Sequence, residues 1–201
     1  MTRRMLLLNV SALAVAGAIG VTALKFLEHP APPRPSAETR VRIGGAFSLI
    51  DQHRRRVSDA SFRGRHLLVF FGFVNCPDVC PTALQNVTLA LNALGGAAGK
   101  VVPLFVTIDP ARDTPDVLAR YLSNFHPSIV GLTGTAEEIA AVAGAYRVAY
   151  GKIEGGATDN YAMYHSAYLY LMGPDGAFLR HFRHTDEPDR IAASLRRYVN
   201  P

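Results

Sequence analysis

Short apolar runs, rich in β-branched and aromatic residues, recur along the chain between stretches with helix-forming character. Continuous apolar runs bounded by turn residues are typical of strands buried on both faces of a sheet. The clearest run begins at Leu67, and the pattern predicts further strands at Val101–Ile108, Ile129–Leu132 and Tyr146–Tyr150. Pro103 has no backbone N–H to donate, so it puts the start of its strand at an edge or pre-strand position.

Helix-start signals follow three of these runs. Pro81 suits the first position of a helix, Thr114 followed by Pro115 reads as an N-cap with a first-turn proline, and Thr135–Glu138 matches a capping box. The helices that these signals and the apolar spacing predict are Thr82–Leu94, Pro115–Phe125, Ala136–Ala145 and Glu187–Tyr198.

Two pairs of short runs are separated by turn residues and predict hairpins. The first pair is Phe47–Ile50 with Arg56-Val57, and the second is Ala167–Met172 with Ala177–Phe182. A Gly-rich loop is predicted at Gly151–Asn160. Strands that alternate with helices and then end in a hairpin and a helix predict an α/β domain. Its mixed sheet would carry helices on both faces around one core.

The N-terminal segment predicts a membrane anchor. Residues Met5–Leu24 carry no charge, and a helix of this length spans about 30 Å, the thickness of the bilayer's hydrocarbon core. Arg3 and Arg4 precede it, so the positive-inside rule leaves the N-terminus cytoplasmic. A cleaved signal peptide with a site at Ala14-Val15-Ala16 is the alternative, although the apolar run continues past that site.

The chain is accordingly divided into a cytoplasmic N-terminus at 1–4, a single transmembrane helix at 5–27, a Pro-rich linker at 28–39 and a domain at 40–201. This organisation predicts a single-pass protein of the inner (cytoplasmic) membrane. Its C-terminal domain would lie on the periplasmic or extracytoplasmic side.

The charge of the chain excludes few classes of function, but it does not favour nucleic-acid binding. The net charge of +5 comes from scattered arginines, and the densest cluster, Arg54-Arg55-Arg56, is interpreted as a solvated hairpin turn. Aromatic and basic residues do not interleave, so the sequence predicts no nucleic-acid partner. A hydrophobic content of 49% with 18% charged residues supports an ordinary packed core.

The candidate chemistry lies in the only two cysteines, Cys76 and Cys80. They follow the buried strand that begins at Leu67 and precede the helix that Pro81 opens. Cys80 is expected at or beside the N-cap, where free amides and the helix dipole favour a thiolate. The carboxyl end of a strand next to a helix N-terminus is the usual place for chemistry in α/β folds.

Three interpretations of this pair remain open from the residues alone. A structural disulfide would gain little, because so short a loop removes little entropy from the unfolded chain. A thiol–disulfide exchanger or peroxide reductase suits the placement, but the familiar redox spacing is Cys-x-x-Cys. A soft-metal site suits two thiolates one helical turn apart, and sulfur ligands select Cu(I), zinc or iron–sulfur chemistry.

A two-sulfur metal site needs a further ligand, and His165 is the candidate among seven histidines. It stands between the Gly-rich loop and an apolar strand, so it could reach the cysteines from there. The other six lie in the linker, beside turns, before a proline or in and after the last strand; they are His29, His53, His66, His126, His181 and His184.

Four separated blocks resemble, in order, the Sco family of membrane-anchored copper chaperones for cytochrome c oxidase assembly. The likeness covers the chain from about Val41 to Pro201. The blocks are Phe71–Thr82 with both cysteines, Val106–Pro115, Gly131–Thr135, and His165-Ser166 with Leu171–Gly176.

The resemblance implies a thioredoxin-like fold with an extra N-terminal β-hairpin. It also implies one copper per chain, Cu(I) or Cu(II), held by Cys76, Cys80 and His165, with the two cysteines also forming the redox disulfide. The implied function is delivery to the CuA site of cytochrome c oxidase subunit II, which is a chaperone's task and not an enzyme's. An upstream thiol reductant and a copper donor are implied as further partners.

One residue departs from the family's usual pattern, and two acidic residues near the cysteines and the second strand are further candidates. Tyr164 stands where the family usually has Asp before the ligating histidine, which puts any hydrogen bond from that Asp in doubt. Asp78 could tune the thiolates or touch a partner, or simply favour the turn, and Asp109 more simply shapes the turn after its strand. The alternative function is a thiol–disulfide oxidoreductase that reduces the acceptor's cysteines, or a peroxiredoxin-like reductase.

Overall fold

The computed structural model describes residues 42–153 and 161–199. The predicted N-terminus, transmembrane anchor and linker at 1–39 lie outside these residues, as does most of the loop predicted at Gly151–Asn160. Among the residues described, no helix has both the length and the apolar character needed to cross a bilayer. The anchor and its signal-peptide alternative therefore both stay predictions.

A seven-stranded mixed sheet organises the described residues, in the order β2-β1-β5-β4-β3-β8-β9. A separate two-stranded sheet pairs β6 with β7. The strands are β1 (Ser48–Asp51), β2 (Arg56–Ser58), β3 (His66–Gly72), β4 (Val101–Thr107), β5 (Val130–Thr133), β6 (Tyr150–Lys152), β7 (Met163–His165), β8 (Tyr168–Met172) and β9 (Phe178–Arg183).

Helices flank this sheet, as expected of a thioredoxin-like α/β fold. They are α1 (Val79–Leu94), α2 (Pro115–Leu122), α3 (Ala136–Ala145) and α4 (Pro188–Val199). Helix α1 packs against α4, whereas α2 contacts β5 and α3 contacts β1. The predicted caps at two helices are present, because Thr114 accepts from the N–H of Val117 and Thr135 forms a capping box with Glu138.

The two predicted hairpins also form. Strands β1 and β2 pair antiparallel, with Leu49 opposite Val57, and β8 pairs antiparallel with β9. Pro103 lies inside β4, but β4 begins to pair with β5 only at Leu104. At Pro103 β4 is therefore paired with β3 only. A missing N–H on the unpaired side of the strand breaks no hydrogen bond of the sheet.

Three predicted boundaries of helices and strands are wrong. Residue Tyr146 caps α3, and Arg147 takes a left-handed backbone conformation with φ of 58°, so the next strand starts only at Tyr150. Helix α2 ends at Leu122 because Ser123 donates its hydroxyl to the carbonyl of Arg120 and competes with the helix. Helix α1 begins at Val79, two residues before Pro81.

The strand directions bring three chain segments to one edge of the sheet. Strands β3 and β4 run parallel, so the loops that follow them meet at the same edge. Strand β8 runs antiparallel to β3, with Leu169 opposite Phe70, so the chain enters β8 from that edge as well. The cysteine loop, the loop after β4 and the segment containing His165 therefore converge.

Asp113 ties two of these segments together. Its Oδ2 accepts hydrogen bonds from the N–H of Val74, 3.1 Å away, and from the hydroxyl of Thr107, 2.6 Å away. The side chain is buried, and burial raises the pKa of Asp113 to about 6. The loop after β3, which leads to Cys76, is thus fixed to the loop after β4 by a carboxylate that is costly to ionise.

We expect Asp113→Asn to remove part of the pH dependence of folding. The ordinary pKa of Asp113 is 3.8, and its folded value of about 6 lies higher, so the unfolding free energy falls as pH rises from about 4 to 6. The shift corresponds to about 3 kcal/mol. An asparagine keeps one oxygen for both donors and never ionises, so the variant should be more stable at pH 7, by up to that amount. Urea unfolding of the purified chain between pH 4 and 7 measures this.

Asp116→Asn is the matched control, because Asp116 lies three residues later and its side chain is 58% exposed. This control should retain the fall in stability between pH 4 and 6. Equal pH profiles for Asp113→Asn and the unsubstituted chain would contradict the assignment.

Candidate metal centre

Three side chains from the converging segments could hold a metal ion. The Sγ atoms of Cys76 and Cys80 and a ring nitrogen of His165 all lie within 4.8 Å of one another. Cys76 lies in the loop after β3, Cys80 is the second residue of α1, and His165 ends β7. Two sulfurs with one imidazole nitrogen form a donor set that suits soft metals such as Cu(I).

The turn that precedes α1 sets the cysteine geometry. The N–H of Cys76 donates to the carbonyl of Phe73 at 3.3 Å, and the N–H of Cys80 donates to the sulfur of Cys76 at 3.4 Å. The N-cap is Asp78, so Cys80 lies within the first helical turn and not at or beside the cap. The free amides at the helix start therefore face Cys76, which corrects the expectation that they favour a thiolate at Cys80.

The two thiols differ in acidity because they share one proton. The hydrogen bond from the Cys80 thiol, helped by the backbone N–H groups of Asp78 and Cys80, lowers the pKa of Cys76 to about 3. The neighbouring Cys76 sulfur and burial raise the pKa of the Cys80 thiol above its usual range. In the metal-free pair the negative charge is therefore favoured at the half-buried Cys76 and the proton at the buried Cys80.

His165 presents a defined nitrogen to this pair. Its Nδ1 lies 3.1 Å from the carbonyl oxygen of Ser166, and since a carbonyl only accepts, Nδ1 carries the proton. Its Nε2 lies 3.4 Å from the Sγ of Cys80. Metal-binding histidines are typically held this way, with one ring N–H donated and the other nitrogen free to coordinate.

Apolar contacts confine the imidazole and the buried sulfur. The ring of His165 meets those of Phe70 and Phe73 edge to face, with centroids 5.8 and 5.9 Å apart. At Gly72, the last residue of β3, a Cβ would lie 2.8 Å from the Sγ of Cys80. Only glycine therefore lets the strand pass so close to the sulfur.

The remaining candidate residues do not contact the ligand atoms through their side chains. Asp78 is exposed and accepts from the Thr82 hydroxyl at 3.4 Å, which agrees with a turn role, and its side chain makes no capping hydrogen bond to the helix. Tyr164 is 54% exposed and lies over Gly151, on the face of β7 opposite to His165. Asp109 is buried and accepts a hydrogen bond from the Tyr161 hydroxyl at 2.5 Å.

Sequence reasoning missed two residues that shape the centre, Gly72 and Asp113. Gly72 follows a run of large apolar residues directly, and a glycine at the end of a buried strand is a signal of close approach by another group. Asp113 gave no such signal, because an acid between a turn and a helix cap is ordinarily a surface residue.

Comparisons with known proteins agree with this arrangement. The family model described as SCO1/SenC matches residues 35–200. The chain is similar to "Protein sco1" of Schizosaccharomyces pombe, with 38% identity over 205 residues, covering 98% of this chain and 78% of the relative. It is also 36% identical to "Protein SCO1 homolog, mitochondrial" of Homo sapiens over 199 residues, covering 94% of this chain and 66% of the relative.

A solved structure shows the same fold. The structure of Bradyrhizobium japonicum ScoI with copper bound superimposes with a TM-score of 0.73 at 44% identity, covering 78% of this chain and 99% of that chain. These findings confirm the resemblance seen in the four sequence blocks. The chain belongs to the SCO1/SenC family.

Proposed function

We propose that this chain is a copper chaperone that delivers copper to the CuA site of cytochrome c oxidase subunit II. The observation that carries the proposal is the convergence of two cysteine sulfurs and one histidine nitrogen within 4.8 Å in a member of the SCO1/SenC family. The copper-bound bacterial structure of the same fold supports copper as the metal. One copper per chain follows from a single such group among the residues described.

The donor set suits both oxidation states of copper. Cu(I) prefers the two soft sulfurs, while Cu(II) gains more from the imidazole nitrogen. Binding displaces the proton that the two thiols share, since only thiolates are good ligands, so uptake becomes weaker at low pH. The buried Cys80 and the half-buried Cys76 leave one side of the pair accessible to an acceptor. Copper would pass through an intermediate in which it is shared with the acceptor's own thiols.

The second candidate function is reduction of the acceptor's cysteines by the same dithiol. The lowered pKa of Cys76 favours this chemistry, because a thiolate is the attacking species. The Cys76 thiolate would attack the acceptor disulfide, release one acceptor thiolate and form a mixed disulfide. Cys80, once deprotonated, would then attack the Cys76 sulfur and displace the second acceptor thiolate, so that the acceptor is reduced and the chain ends with a Cys76–Cys80 disulfide. Both roles need a reductant that restores the thiols, so a thiol donor acts upstream in either case.

The proposal includes the membrane. A helix at 5–27 would anchor the domain at the outer side of the cytoplasmic membrane, with the Pro-rich linker at 28–39 as a stiff spacer. This location would bring the copper site to the exposed side of the oxidase subunit.

Copper binding should depend on the redox state of the cysteines. We expect the reduced, purified chain to bind one copper, and the oxidised chain to bind almost none, because a disulfide has no thiolate to offer. Metal content after anaerobic loading and desalting measures both forms. Equal loading of the oxidised and reduced chains would contradict a thiolate site.

His165→Ala should separate the chaperone from the reductase. It removes the nitrogen that Cu(II) needs, so Cu(II) affinity should fall about 10- to 100-fold or more, while the cysteines still cycle between dithiol and disulfide. His181→Ala is the matched control, because His181 meets the ring of Tyr168 edge to face and does not belong to the Cys76–Cys80–His165 group. Oxidase assembly in a complemented deletion strain at limiting copper should fall only with His165→Ala. If that variant assembles oxidase normally while Cys76→Ser does not, the dithiol acts as a reductant.

The topology can be tested with a fusion. Alkaline phosphatase joined after Pro35 should be active and membrane-bound in a bacterial host, because the reporter folds only outside the cytoplasm. A soluble product shortened near Ala16 would instead support the signal peptide.

A further inference from the structure

Tyr161 hydrogen-bonds the short β6–β7 hairpin, which ends in His165, to the loop after β4, while Tyr150 and Met163 of the hairpin pack against the core. Within the part of the chain that the structure describes, β6 and β7 pair only with each other, outside the main sheet. A ligand on such a hairpin has no long strand pairing to hold it. Its position must come from contacts that the hairpin makes with the rest of the domain.

Tyr161 makes two hydrogen bonds to the loop after β4. Its hydroxyl donates to Oδ1 of Asp109 at 2.5 Å, and its carbonyl accepts from Nη1 of Arg112 at 2.9 Å. Asp109 is only 3% exposed, and Arg112 also donates its Nε–H to that carboxylate. Hydrogen bonds to a buried charged group are among the strong ones in proteins.

Two cations add to this attachment. The guanidinium of Arg112 lies 3.7 Å from the centre of the Tyr161 ring, and the ammonium of Lys152 lies 3.9 Å from it. Lys152 belongs to β6, opposite Met163 of β7. The ring therefore contacts one cation from the hairpin and one from the domain, within the range of cation–π attraction.

The loop after β4 thereby reaches both ligand-bearing segments. Asp113 holds the N–H of Val74, which leads to Cys76, and Asp109 with Arg112 holds Tyr161, which leads to His165. The donors and acceptors on this loop lie within five residues of one another in the sequence. The same loop therefore contacts both the segment that carries Cys76 and the segment that carries His165.

We propose that Tyr161 is a positioning residue for His165, which holds the imidazole at the distance that copper coordination requires. The inference rests on the proposed copper function and deepens it. Burial and the hydrogen bond to Asp109 raise the pKa of Tyr161 to about 12, so its hydroxyl keeps the proton that it donates. Cu(II) depends on the imidazole more than Cu(I) does, so the positioning acts mainly on the Cu(II) form.

The first test measures the hairpin without metal, by amide hydrogen exchange on the full-length reduced chain. Tyr161→Phe keeps the ring and both cation contacts but loses the bond to Asp109. The amides of Ile153 and Ser166, which donate to Ala162 and Ala149, should then exchange about 5- to 10-fold faster. The amide of Val74, which donates to Asp113, should be unchanged.

The second test measures copper. Tyr161→Phe should weaken Cu(II) binding about 3- to 10-fold, less than the loss of a group that touches the ligand itself, and should change the electron paramagnetic resonance spectrum of the Cu(II) form. The Cu(I) affinity should stay within about 2-fold of that of the unsubstituted chain. The reduction potential of the Cys76–Cys80 disulfide should equal that of the unsubstituted chain within experimental error.

Tyr168→Phe is the control for both tests, since Tyr168 lies three residues after His165 and is 40% exposed. It should match the unsubstituted chain. Unchanged exchange and an unchanged Cu(II) spectrum in Tyr161→Phe would overturn the positioning role while leaving the copper function intact. Equal effects of the two variants would overturn it as well. Absence of copper binding by the unsubstituted chain would instead refute the proposed function, and the exchange test would still decide the attachment.

Discussion

The buried carboxylate of Asp113 is the constraint on which the metal centre depends. A carboxylate away from water is costly unless donors reach it, and here both donors, the N–H of Val74 and the hydroxyl of Thr107, share one oxygen. The parallel pairing of β3 with β4 makes this possible, because it brings the ends of both strands to one edge. The loop that leads to Cys76 is therefore held at its start, and α1 fixes it at its end.

The fixed loop makes the two sulfurs unequal. Cys80 is held inside the first turn of α1, against Gly72, where it is fully buried and a negative charge is costly. Cys76 receives the hydrogen bond from the N–H of Cys80 and is only half-buried, so the shared negative charge is favoured there. Copper chemistry and disulfide chemistry would both use this inequality, since Cys76 is the more accessible of the two sulfurs and can contact a partner. The pair alone thus does not distinguish carrier from reductant, and only His165 does.

The sequence predicted the secondary structure well where pattern and chemistry agree. The buried run at β3, the capping box at Thr135 and the hairpin of β8 with β9 follow from local residues, and the structure contains all three. The local pattern failed at the end of one helix and at one residue that is buried by tertiary contacts. The backbone of Arg147 turns left-handed although its neighbours favour a strand. The sequence around Asp113 is typical of a surface acid. Its burial depends on the loops after β3 and β4, which only the folded sheet brings together.

The structure also bears on Tyr164, which stands where the family usually has Asp. The sequence suggested that replacing the usual Asp by Tyr164 could weaken the orientation of His165. In the structure, however, the proton of Nδ1 goes to the carbonyl of Ser166. A main-chain acceptor does not change when a side chain is substituted. Alternation along β7 also turns residue 164 away from the centre, so its side chain does not contact the imidazole. The orientation of the ligand is therefore set by the backbone of the hairpin, and what the chain must maintain is the attachment of that hairpin to the domain.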